Sequence, residues 1–196
     1  MENDFFKFIV EPSKENFLAA RDTVVRHPDY EPYSDDLDVL EKLLDDGKYE
    51  EAAKFNNINL FLSARAHLYK KYANEKLGNE KDAKMEHILA MGIIDGIEMT
   101  GDGTLENPYW VLRVSDERDL MLLLEENFAS QALSHQNGRS YDIITTVSGK
   151  TIYFDITDCY NRMTATYGSG KGSTVMQELE KMANKPSAKK WWQFWK

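Results

Sequence analysis

The sequence has only one cysteine, Cys159. A single thiol excludes an intramolecular disulfide and a zinc cluster built from cysteines. No stretch approaches the ~20 apolar residues of a membrane-spanning helix. The apolar run near the N-terminus is too short and too poorly flanked for a secretory signal, so a cytoplasmic location is the expectation. Positive charge is also scarce: 24 Lys and Arg stand against 33 Asp and Glu, a formal net charge of −9. The last twelve residues hold four lysines and no acid, so the other 184 residues carry −13. Phosphate backbones need the opposite sign, which argues against a nucleic-acid partner. A basic protein surface suits such a body better.

Apolar residues make up 42% of the chain, with ten Tyr, nine Phe and four Trp, enough to build a core. Phe5, Phe6, Phe8, Ile9 and Val10 form an apolar opening that stops at Pro12. Ser13 reads as an N-cap for a helix whose face includes Phe17, Leu18, Val24 and Val25, and His27-Pro28 ends it. Residues 28–33 are a loop. Ser34 is then expected to cap a helix with Asp35 and Asp36 in its first turn and Leu37, Leu40, Leu43 and Leu44 on its apolar stripe. Gly47 stops it. A helix begins at Tyr49, a long one covers residues 60–77 and ends at Gly78, and a more apolar one covers residues 80–98. Gly47 and Gly78 each end a leucine-bearing helix, and Ala52 and Ala83 each follow five residues later. That offset of 31 residues resembles a tetratricopeptide repeat of about 34 residues. The helical half is therefore either a set of tetratricopeptide-like hairpins or an irregular bundle.

The character changes at residues 100–104, Thr-Gly-Asp-Gly-Thr, a turn-rich break. Residues 109–114 read as a strand, and Ser115 as the cap of a helix running to about Phe128, with Asp116 and Glu117 in its first turn. Asn137-Gly138 is a turn. Residues 141–147 and 151–156 form a β-hairpin around Ser148-Gly149-Lys150. The expected fold is α+β: antiparallel helical hairpins packed with an antiparallel sheet of about three strands. One domain spans residues 1–184, with a helical part (1–99), a strand–helix–hairpin part (100–167) and a linker with a short helix (168–184). A basic aromatic tail, residues 185–196, follows.

The blocks at residues 87–97, 101–104, 109–119, 141–144 and 152–156 occur in an order and spacing similar to a group of uncharacterised bacterial proteins, domain of unknown function 4919. The resemblance covers residues 78–156. It implies one continuous domain across the helix-to-sheet junction and carries no catalytic residue.

Chemistry-bearing patterns are sparse. Asp102 between Gly101 and Gly103, near Asp95, Glu98 and Glu106, fails the alternating oxygen spacing of a calcium loop and reads as a tight turn. Residues 168–173 lack the Gly-x-x-x-x-Gly-Lys-Ser/Thr order of a phosphate loop and read as a linker. His67, His87 and His135 sit on separate elements, so no cofactor or metal is called for. Asp142 and Asp155, on neighbouring strands, are the carboxylates an acid/base enzyme would use, but the simpler reading puts them on the solvent face. Cys159 and Ser134-His135 lack an oriented partner for nucleophilic chemistry.

What remains is contact. The sequence points to a non-enzymatic protein-binding module, in its most concrete form a bacterial immunity protein that occludes a toxin's active site. Asp35, Asp36, Asp45, Asp46 and Glu50 would face basic groups of that partner. Trp191, Trp192 and Trp195 among lysines suit a protein hot spot or the membrane–water interface, and the plainer expectation is a tail that is disordered or folded onto its own domain. The rival expectation is an adaptor that docks a partner peptide in its helical hairpins or the membrane surface through that tail.

Overall fold

The computed structural model describes residues 2–167. Six helices come first: α1 (Glu2–Val10), α2 (Lys14–Val25), α3 (Asp36–Asp45), α4 (Tyr49–Lys54), α5 (Ala64–Leu77) and α6 (Glu80–Thr100). A 3-10 turn, Ile58–Leu60, precedes α5. Then come β1 (Tyr109–Trp110), α7 (Val114–Leu123), β2 (Phe128–Gln136), β3 (Arg139–Thr146), β4 (Thr151–Asp155) and α8 (Thr157–Tyr167). The fold is α+β, as the periodicities required. The expected linker, short helix and tail at residues 168–196, with Trp191, Trp192 and Trp195, lie outside the described residues.

Local chemistry sets most boundaries. The Ser13 hydroxyl accepts from the amide of Asn16 and opens α2. Ser63 does the same for α5 through Ala66. Gly47 and Gly78 adopt φ of +71° and +75°, the left-handed stop that favours glycine. Ser34 is not the cap it was expected to be: its hydroxyl donates to Asp36, and Asp35 precedes the first helical residue. The opening apolar run is itself a helix, α1, packed against α2, with Phe8 and Ile9 lying near Gly96 and Gly92 of α6. Helices α3 to α6 have 10, 6, 14 and 21 residues, so the hairpins are unequal and the irregular bundle is the form observed.

The sheet has four strands, not about three, in the order β1-β4-β3-β2. It is mixed: β1 runs parallel to β4, and the other pairs are antiparallel. The first strand ends after two residues because the Asp116 carboxylate captures the next free amides, those of Leu112 (3.1 Å) and Arg113 (2.9 Å). Those bonds start α7 where sequence reading had extended the strand. Asn137 and Gly138 both take positive φ, the conformation that closes a two-residue hairpin between β2 and β3.

Two apolar clusters form. The larger joins α1, α2 and α6 to the sheet, with Phe8, Phe17, Ile94, Leu120, Ile144 and Phe154 fully or almost fully buried. The smaller lies among α3, α4 and α5 around Leu40, Leu60 and Tyr69.

Candidate functional site

Exposed acids occur along the whole described chain, and one group of them lies on α3 and α4. The amphipathic pattern of α3 buries Leu37, Leu40 and Leu44, which leaves Asp35, Asp38, Asp45 and Asp46 exposed. Glu50 and Glu51, in the first turn of α4, are exposed as well. Asp46 pairs with Lys42 at 3.1 Å, an exposed contact contributing only a few tenths of a kcal/mol. Asp36 departs from the expectation. It is half-buried, and its Oδ2 accepts from Ser34 Oγ (2.5 Å) and Asn59 Nδ2 (2.9 Å). Its work is to fasten the start of α3, so the exposed candidates are Asp35, Asp45, Asp46 and Glu50.

A buried group centres on α7. Asp116, Glu117 and Asp119 are all buried, although sequence reading treated the first two as ordinary first-turn acids. Asp119 accepts from Arg65 Nη2 at 2.5 Å and Nε at 3.0 Å. Arg113 donates to the Ser34 carbonyl (2.8 Å) and hydroxyl (3.2 Å), tying α7 to the loop before α3. Burial pushes the Asp116 carboxyl up to about 7, with Asp119 adding repulsion and Arg113 opposing it. Burial also raises Glu117 well above the carboxylate range, reinforced by Asp142.

Glu117 of α7 and Asp142 of β3 are near neighbours, and Asp142 reinforces the upward push that burial gives the Glu117 carboxyl. Asp142 accepts from Gln131 Nε2 at 2.7 Å, and Gln131 is only half-buried. The pair thus lies one side chain beneath the surface.

The pairing of Asp142 with Asp155 does not form. Asp142 stands opposite Phe154 and Asp155 opposite Tyr141, so the two aspartates point to opposite faces of the sheet. Both are buried, not on a solvent face. Asp155 accepts from Arg139 Nη1 at 2.6 Å and from the amide of Thr157, which holds the start of α8. Cys159 is fully buried, its sulfur 3.7 Å from the Tyr30 hydroxyl, and burial pushes its thiol up to about 12. Asp102 makes the expected turn: its Oδ1 accepts from the Thr104 amide and hydroxyl. No group of three His, Cys, Asp or Glu side chains among the described residues is placed to hold a metal ion. No described helix is long and apolar enough to cross a membrane.

Glu117 carries no mark in the sequence. Acids at 116, 117 and 119 span about 160° of the helix circumference, less than half a turn, so all three could share a solvent-facing side. No protein-family model, curated protein or solved structure matches the chain, and the resemblance across residues 78–156 therefore stays an expectation.

Proposed function

We propose that this protein is a binding module whose outer α3–α4 face docks a basic protein surface. The observation that carries the reading is a group of exposed acids on α3 and α4. The buried Asp119 and Asp155 pair with Arg65 and Arg139. Asp35, Asp45, Asp46 and Glu50 face outward on two short adjacent helices. Exposed carboxylates on rigid elements raise association rates and select partners of opposite charge. In its most concrete form the partner is a toxin with a basic active-site rim, and docking there occludes substrate entry. Purification of the tagged chain at native expression, with identification of what comes with it, tests the reading. A basic protein at near-equimolar yield is the expected result, and recovery of the free chain alone overturns it.

A further inference from the structure

The two edges of the sheet differ. At one, β1 is only two residues long, and its Trp110 amide donates to Thr100 Oγ1 at 2.9 Å. At the other, β2 runs for nine residues. The bonds of β3 show which backbone groups β2 leaves over. The Thr146 amide donates to the Lys150 carbonyl, and the Ile156 amide donates to the Ser140 carbonyl. The even-numbered residues of β3 therefore turn their backbone groups toward β4. The odd-numbered ones turn toward β2, where they stand opposite Ser130, Ala132, Ser134 and Gln136. Gln131, Leu133 and His135 point their amides and carbonyls the other way. None of those groups has a hydrogen-bond partner among the described residues.

An edge of this length is ordinarily guarded by charge, proline or a bulge. Here a register shift between Phe128 and Ser130 guards the start, and the remainder is regular. The strand holds no proline and no Asp, Glu, Lys or Arg. Charged residues make up 29% of the chain and leave a net charge of −9, so two copies repel over most of their surface but not here. The ends of the edge set the direction. Glu125 is exposed just before β2, and Arg139, which also holds Asp155, is exposed just after its turn. Antiparallel pairing of β2 with the same strand of a second copy brings the start of each beside the turn of the other, acid toward base. Parallel pairing sets like against like.

We propose that β2 pairs antiparallel with β2 of a second copy and joins the two four-stranded sheets into one. Leu133 lies on the two-fold axis opposite itself, and Gln131 lies opposite His135 of the other copy. In that register every outward amide meets an outward carbonyl. Leu133 adds an apolar contact across the axis. The backbone alone would accept a strand of another protein, but an unrelated strand lacks the matched ends. The pairing uses none of the acids on α3 and α4, so it stands independently of the docking reading.

Sedimentation equilibrium of the full chain, from micromolar to near-millimolar concentration, tests the pairing. A reversible monomer–dimer equilibrium is expected. Residue-resolved amide exchange over the same range locates the contact. Protection of Gln131, Leu133 and His135 is expected to rise with concentration, while that of Ala132 and Ser134, already bonded to β3, stays constant. His135→Pro removes one outward amide and leaves the ladder to β3 intact. Ala132→Lys, at an exposed position, sets two ammonium groups on neighbouring positions across the axis. Each substitution is expected to weaken dimerisation by about tenfold or more. Should His135→Pro unfold, Ala132→Lys and the exchange pattern still decide. A chain that stays monomeric over the whole range overturns the proposal. So does a dimer that Ala132→Lys leaves intact, or a monomer that takes up a foreign strand at this edge.

Discussion

Arg65 of α5 holds Asp119 of α7 through two guanidinium nitrogens, and this pair fastens the helical half to the half that carries the sheet. Asp119 is 1% exposed, so burial raises its carboxyl even though Arg65 acts to lower it. The pair therefore adds little net stability but is costly to break from one side. Asp119→Ala is expected to lower unfolding free energy by about 3–5 kcal/mol, because it removes the carboxylate that holds the largely buried Arg65 guanidinium. Arg65→Met combined with Asp119→Leu is expected to recover most of that loss. Urea unfolding of the three variants checks both.

Stability is expected to fall as pH rises. Asp116, Glu117, Asp119 and Asp142 all have folded-state acidity constants above their unfolded values. Between those values the folded chain binds more protons than the unfolded one, so each unit of pH destabilises it. For Asp116 the window opens near its ordinary value and closes at about 7. Its share of the loss is on the order of a few kcal/mol. Surface repulsion among the outer acids has the same sign, but salt screens it and leaves the buried part alone. Unfolding free energies at pH 5 and pH 8 in high salt isolate the interior contribution, and Glu117→Gln is expected to flatten that difference.

Two glycines of α6 give opposite expectations. A Cβ at Gly96 would lie 2.3 Å from Phe17 and 2.8 Å from Phe8, inside the closest packing of α1 and α2 on α6. Gly96→Ala is expected to cost about 1–3 kcal/mol through overpacking. At Gly92 the nearest atom is Ile9 Cδ1 at 3.6 Å, an ordinary contact. There Gly92→Ala is expected to stabilise the helix by roughly 0.5–1 kcal/mol. Thermal unfolding of the pair distinguishes close helix approach from helix propensity.

Cys159 is expected to be inert in the folded protein. Its thiol is fully buried and held protonated, and the thiolate is the reacting species. Iodoacetamide at pH 8 is expected to label the urea-unfolded chain and leave the folded one unlabelled.

Helix positions, glycine stops and the hairpin at residues 139–155 were legible because each carries a local signal: a 3–4 apolar spacing, a left-handed glycine or a glycine-bearing turn between β-branched runs. The strand β2 was not. Its sequence, Phe-Ala-Ser-Gln-Ala-Leu-Ser-His-Gln, lacks β-branched residues, and as an edge strand it buries too little to show alternation. The helix before it was read too long for the same reason. Glu125, a non-glycine at φ of +56°, ends that helix without the usual mark. The outer acids were legible as charge on a helix face, but their division was not. Asp36 is committed to Ser34 and Asn59, and Glu117 is set beside Asp142, by tertiary contacts between residues 23 or 25 positions apart that no local pattern encodes.

The central claim is that the outer acidic face makes the contact. Asp35→Asn, Asp45→Asn, Asp46→Asn and Glu50→Gln, combined in one chain, remove four exposed charges and spare Asp36. Quantitative co-purification of this variant beside the wild type at native expression is the most direct measurement. The account predicts that a basic protein recovered with the wild type falls by about tenfold or more with the variant. Equal recovery of the same protein with both chains would contradict it.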